Sequence, residues 1–133
     1  MRLSNIAVWV QDLEALRGFY EKYFQASAGP KYRNDAKRFA SYFLALPGGG
    51  QLELMQRADV VARPAAAADA ANQEYFGLAH IGLTVGSVET VDALTRRLTD
   101  DGHRLLDGPR RTGDGYYESI VADPEGNRIL IIA

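Results

Sequence analysis

The sequence contains no cysteine, which excludes disulfides, thiolate metal sites and a cysteine nucleophile, and which suits a reducing cytoplasm. It also lacks an excess of either charge. Fifteen Lys and Arg against 17 Asp and Glu give a formal net charge of −2, so no bulk attraction to nucleic acid or to an anionic membrane is expected. No apolar run approaches the roughly 20 residues that span a bilayer. The opening residues, Met1 to Asn5, carry no apolar signal-peptide core. No Ser/His/Asp order or nucleophile elbow is present, and Gly48-Gly49-Gly50 lacks the lysine and following helix of a phosphate loop. These absences lead to the expectation of a cytoplasmic protein with neither nucleic acid nor membrane as a partner.

What is present suits one compact domain. The chain has 133 residues, 47% of them apolar and 24% charged, enough to bury a hydrophobic core. Asn5 to Val10 is a short β-branched and apolar run that reads as a strand. Asp12 is placed to cap a helix in which Leu13, Leu16, Phe19, Tyr20, Tyr23 and Phe24 form one apolar stripe, ended by Gly29-Pro30. Lys37 to Leu46 reads as a strand, Pro47 to Gly50 as a hairpin turn, and Gln51 to Gln56 as the returning strand. From Arg57 to Gly77 the chain is Ala-rich and without a clean period, which predicts a linker with a short helical turn. Ala79 to Val85 is then a strand. Ser87 caps a helix with Val88, Val91, Leu94 and Leu98 on one face, closed by Gly102. His103 to Leu106 and Tyr116 to Ala122 read as strands, Asp123 to Gly126 as a turn, and Arg128 to Ile132 as the last strand.

The two halves repeat. Asn5-Ile6-Ala7-Val8 echoes His80-Ile81-Gly82-Leu83, and Phe43 to Pro47 echoes Ile120 to Pro124. The expected class is α+β: two βαβββ modules, about 1–57 and 78–133, joined by a linker of about 58–77, forming a cupped mixed sheet with helices on its outer face. Period-2 geometry assigns the inner face. It takes Asn5, Ala7 and Trp9 from the first strand, Gln51, Glu53 and Met55 from the last strand of the first module, His80, Gly82 and Thr84, and finally Arg128, Leu130 and Ile132.

This organisation resembles the vicinal oxygen chelate (glyoxalase/bleomycin resistance protein/extradiol dioxygenase) superfamily over nearly the whole chain. The residues that carry the resemblance are Asn5 to Val8 with Asp12-Leu13 and Phe19-Tyr20, Leu52-Glu53-Leu54, His80 to Leu83, and Asp123 to Ile129 with its Asp-Pro-x-Gly turn. The resemblance implies a homodimer that takes a small-molecule ligand or substrate. It also implies four metal-ligand positions, occupied here by Asn5, Glu53, His80 and Leu130. Metal-binding members usually carry His, Gln or Glu at the first and Glu at the last.

A transition-metal site needs at least three convergent N or O donors. Leu130 supplies none and Asn5 a weak amide oxygen, which leaves Glu53 and His80 as the candidate ligands of an incomplete site. Three readings of function stand side by side. The first is a protein that binds a small molecule in the cup without a complete metal site. The second is a lyase, isomerase or dioxygenase, of the lactoylglutathione lyase kind, using Zn, Ni, Mn or Fe held by Glu53 and His80. The third is a metal-independent enzyme with Glu53 or His80 as general base. Asn5, Trp9, Gln51, Met55, Thr84, Tyr116, Arg128 and Leu130 are the candidate ligand-binding residues.

The plainer alternatives are structural. His80 suits a hydrogen-bonded core histidine, and Glu53 an ion pair with Arg128. Trp9 suits a dimer interface as well as a ring platform. Tyr116 and Tyr117 suit half-buried strand positions as well as a lid. Lys37-Arg38 and Arg110-Arg111 read as solvated surface.

Overall fold

A computed structural model describes residues 3–61 and 76–133. The helical turn expected within the linker lies outside the described residues. The chain divides into two compact units, Met1–Ala62 and Arg63–Ala133. Among the described residues there are two helices and nine strands in two mixed sheets, the α+β class expected.

In the first unit β1 (Asn5–Trp9) runs parallel to β5 (Gln51–Arg57), and β5 pairs antiparallel with β4 (Phe39–Ala45). A parallel pair cannot be closed by a tight hairpin, and α1 (Leu13–Phe24) lies on the crossover between its strands. The Asp12 carboxylate accepts from the Ala15 N–H at 2.9 Å, satisfying one of the amide donors that a helix start leaves open. Leu13, Leu16, Phe19, Tyr20, Tyr23 and Phe24 are all buried, against Leu44, Leu52 and Leu54 of the sheet, which are buried too. Each such side chain contributes about 1.5–3 kcal/mol on leaving water, and a 12-residue helix depends on that packing because helices of this length are marginal alone.

The helix ends earlier than Gly29-Pro30. Gln25 adopts a left-handed conformation (φ 54°) and the Ala26 N–H returns to the Tyr20 carbonyl at 3.2 Å. Beyond it two short strands, β2 (Ser27–Ala28) and β3 (Tyr32–Asn34), both pair with β4. Neither has the length or alternation to register as a strand in sequence. Lys37 and Arg38, expected in a strand, form part of a turn. The Lys37 N–H bonds the Asn34 side-chain oxygen at 3.1 Å and the Arg38 N–H the Asp35 carbonyl at 3.1 Å. The hairpin at Pro47 to Gly50 is present. Gly49 and Gly50 both take positive φ (94° and 81°), a backbone that side chains with a Cβ resist.

In the second unit β6 (Ile81–Thr84) runs parallel to β9 (Arg128–Ile132), β9 pairs antiparallel with β8 (Tyr117–Ala122), and β8 with β7 (Leu105–Arg111). The helix α2 (Val88–Asp100) starts on Ser87, whose Oγ accepts from the Thr90 N–H at 3.2 Å. It closes in a Schellman arrangement, with the Gly102 N–H on the Thr99 carbonyl (3.0 Å) and the His103 N–H on the Leu98 carbonyl (2.9 Å). Its buried face is Val91, Thr95 and Leu98, with Val88 and Leu94 half-buried beside them. Thr95 escaped the apolar pattern because it is polar. Its hydroxyl is satisfied in the core by Ser119 at 2.6 Å, as burial of a hydroxyl demands.

Five strand boundaries of this unit move, two of them where β6 ends at Thr84 and β7 starts at Leu105. The strand expected from Ala79 starts at Ile81, so His80 precedes it; β7 runs on to Arg111, well past Leu106; and β8 starts at Tyr117, leaving Tyr116 in the hairpin loop. The turn at Asp123 to Gly126 is as expected. The buried Asp123 carboxylate accepts from the Glu125 and Asn127 N–H groups (3.0 and 2.9 Å) and from the Asn127 side-chain amide (2.9 Å).

The internal repeat is present in the strand pairing. In each unit the first strand lies parallel to the last, and the last antiparallel to the one before it. Ile6 faces Leu52 as Ile81 faces Ile129, and Ala7 faces Glu53 as Gly82 faces Leu130. Glu53 and Leu130 are therefore equivalent positions of the two repeats. The first unit departs only in its split second strand.

Candidate functional site

The two faces of the first sheet differ sharply. Leu52, Leu54, Tyr42 and Leu44 are buried on the side of α1, whereas Ala7, Trp9, Gln51, Phe43 and Ala45 are exposed and Asn5, Glu53 and Met55 half-buried on the other. Strand parity thus brings five sequence-predicted residues, Asn5, Trp9, Gln51, Glu53 and Met55, onto one open face. The register sets their spacing: Asn5 lies opposite Gln51, Ala7 opposite Glu53, and Trp9 opposite Met55. Asn5 Nδ2 donates to Glu53 Oε2 at 3.3 Å. No ion pair involves Glu53 among the described residues of this unit.

Four residues of this face were missed in the sequence. Phe43 is the neighbour of Glu53 on β4 and is 42% exposed, while Trp9 is 41% and Tyr32 54% exposed. Phe39 joins the rings. It meets Trp9 edge-on with centroids 6.1 Å apart, the edge-to-face geometry that aromatic quadrupoles favour, and Tyr32 at a tilt with centroids 6.0 Å apart. The Arg57 guanidinium lies over the Trp9 ring at 5.1 Å and bonds the Asp59 carboxylate at 2.5 Å. That bond holds the Asp59 carboxyl below the ordinary aspartate range. Alternation along β4, counted back from the glycine hairpin, is the signal that would have found Phe39 and Phe43. Tyr32 carried none.

The charged groups around Tyr42, by contrast, are spent on anchoring the helix. Its hydroxyl donates to Glu14 at 3.1 Å, Lys31 donates to the same carboxylate at 2.7 Å, and Arg17 and Lys31 lie over the ring at 5.2 and 5.6 Å. The Lys31 hydrogen bond lowers the Glu14 carboxyl from its usual value.

In the second unit Gly82 and Thr84 are exposed, Arg128 half-buried and Leu130 buried. Leu130 lies between Gly82 and Ile120, and Arg128 faces Ala122. His80 is exposed just before β6. Tyr116 is exposed in the loop, its carbonyl accepting from the Thr112 N–H at 2.9 Å. Tyr117 belongs to the helix side: its hydroxyl donates to Asp92 of α2 at 2.7 Å, and this bond pushes the phenol above its usual value. Arg110 pairs with Asp107 at the exposed edge strand.

The donor set does not fit a protein-ligated metal of three or more good donors. Leu130 is hydrocarbon, Asn5 turns its amide N–H toward Glu53, and only Glu53 and His80 remain as strong donors. Among the described residues no group of three His, Cys, Asp or Glu converges.

Comparison with known proteins agrees with the fold. The chain is 27% identical to the Bacillus subtilis protein YqjT, over 98% of each chain. It superposes on a crystal structure of a glyoxylase/bleomycin resistance protein/dioxygenase domain from Frankia sp. with a TM-score of 0.78, at 18% identity over 99% of this chain and 96% of that one. A structure of a possible glyoxalase from Bacillus cereus gives 0.71, at 26% identity over 100% and 99%. No helix among the described residues is long and apolar enough to cross a membrane. The sequence model of one family matches residues 2–131, and the chain belongs to that family, the glyoxalase/bleomycin resistance protein/dioxygenase superfamily.

Proposed function

We propose that this chain is a small-molecule-binding member of its superfamily that works without a complete protein-ligated metal site. The observation that carries the reading is the open face of the first sheet, where a half-buried carboxylate hydrogen-bonded to a neutral amide stands among exposed aromatic rings. Apolar walls with a few convergent polar groups are the usual composition of a ligand site. Asn5, Trp9, Gln51, Glu53 and Met55 form this surface. Thr84, Arg128 and Leu130 lie on the equivalent face of the second repeat and belong to the proposal, with His80 and Tyr116. The reading of residues 1–133 as one domain, and a cytoplasmic location, rest on the same family resemblance and on the absence of cysteine.

The second reading, a lyase, isomerase or dioxygenase using Zn, Ni, Mn or Fe, draws on family membership and on the exposed His80. The third, general-base catalysis by Glu53 or His80, draws on the same two groups. Elemental analysis after dialysis separates the first reading from the second. Less than about 0.1 metal per chain is expected after loading with each ion in turn, since two strong donors hold such ions weakly. One metal per chain, lost in both Glu53→Ala and His80→Ala, would replace the first reading by the second.

We also infer that two copies of the chain associate. Val61, Phe76 and Leu78 are exposed apolar side chains of the sort that a partner surface covers. Light scattering at micromolar concentration is expected to give twice the 14.6 kDa chain mass, and a monomer there would contradict the inference.

A further inference from the structure

We propose that the ligand of this face is an aromatic organic cation, its charge held by Glu53 and Asn5 and its ring by Trp9, Phe39 and Phe43. The inference rests on the small-molecule reading above and adds the charge and shape of the ligand.

Charge decides the first half. Arg57, the cation over Trp9, is balanced by Asp59, so Glu53 is the group on this face whose charge has no counter-ion among the described residues of the unit. A half-buried carboxylate without a counter-ion is costly, and a cationic ligand offsets that cost where a neutral or anionic one does not. Hydrogen bonding agrees. One Asn5 N–H is spent on Glu53 Oε2, which leaves to a ligand one Asn5 N–H and a larger number of acceptor sites, on the Asn5 carbonyl and the rest of the carboxylate. That balance favours a ligand with N–H donors.

Shape decides the second half. The residue opposite Glu53 on β1 is Ala7, exposed and bearing a single methyl. It leaves a shallow notch beside the carboxylate, with Asn5 two residues to one side and Trp9 two residues to the other. At the strand spacing and rise of a sheet, Trp9 lies about 8 Å from Glu53. That distance suits one ring between them, with a cationic end group on the carboxylate. Ring faces not covered by Arg57 also attract positive charge through their quadrupoles.

Benzamidinium, benzamide and benzoate share one planar shape and carry charges of +1, 0 and −1, so they isolate the charge requirement. The single tryptophan, Trp9, reports binding by its emission, and calorimetry gives the affinities. Benzamidinium is expected to bind at least about tenfold tighter than benzamide, with benzoate weakest, as one charge-assisted bond requires. In Glu53→Gln, which keeps the side-chain shape, the preference is expected to fall to within about twofold. In Ala7→Leu, which fills the notch, benzamidinium affinity is expected to drop while the thermal midpoint holds.

Equal binding of benzamide and benzamidinium would overturn the cation proposal and leave the small-molecule reading intact. A preference unchanged in Glu53→Gln would overturn the assignment to this carboxylate. No saturable binding of any of the three at up to about 10 mM would overturn both readings.

Discussion

Gly108→Ala is expected to cost about 3–5 kcal/mol of stability, the largest effect of replacing any one of its glycines by alanine. Gly108 sits in β7 where the pairing with β8 shifts register, and it has a φ of +77°. Two penalties add there. A residue with a Cβ pays roughly 1–2 kcal/mol for the left-handed backbone. The Cβ would also stand 2.6 Å from the Glu118 carbonyl oxygen and 3.1 Å from the Ser119 Cα, and both are backbone atoms of the partner strand. They cannot swing aside as a side chain can, so the ladder itself must move. Gly115 provides the control. It has a comparable φ of +96° but no atom within 4 Å of its Cβ position, so Gly115→Ala should lose only the backbone penalty, about 1 kcal/mol. Urea denaturation of the two variants separates the terms. Equal losses at both positions would mean that the close approach to β8 does not exist.

Asp123→Ala follows, with an expected loss of about 2–4 kcal/mol. Its carboxylate collects two backbone N–H groups and a side-chain amide while only 4% exposed. Alanine takes the acceptor from three part-buried donors, and a donor left without its partner costs more than a bond never made. The turn joins β8 to β9, and their register puts Leu130 opposite Ile120 and Arg128 opposite Ala122. The damage should therefore reach the proposed ligand face of the second unit as well as the fold. Asn127→Ala removes one donor and leaves the carboxylate its two backbone partners, so about 1 kcal/mol is expected. In thermal melts the Asp123 variant should fall by about 10 °C and the Asn127 variant by a few degrees. An Asp123→Ala protein melting with the wild type would show that the turn holds without its carboxylate.

Much of this architecture could be read from residues near one another in the chain. The caps Asp12 and Ser87, the stop at Gly102, the glycine hairpin and the Asp123 turn are local. Each depends on a side chain or a backbone angle within about four residues, and each is present in the structure. The end of α1 was not legible, because Gly29-Pro30 is a strong stop signal and a left-handed glutamine is a weak one. The short strands β2 and β3 were not legible either. Two- and three-residue strands have no periodicity of their own and exist only because β4 offers them an edge.

The same division holds for the candidate site. Alternation alone placed Asn5, Trp9, Gln51, Glu53 and Met55 on one face, since side-chain direction along a strand repeats every two residues whatever the strand pairs with. The emptiness of the Leu130 position is likewise a matter of residue identity. What only the tertiary structure decided is which residues of different strands stand together. The Asn5–Glu53 bond spans 48 residues. The positions of Ala7 and Phe43 on either side of Glu53 follow from the registers of two separate ladders. The rings of Trp9, Phe39 and Tyr32 come from three strands. Local sequence carries the direction of a side chain, but register is settled by the burial of whole strands against α1. That collective choice turned a list of inward-facing residues into a carboxylate with an amide on one side and aromatic rings on the other.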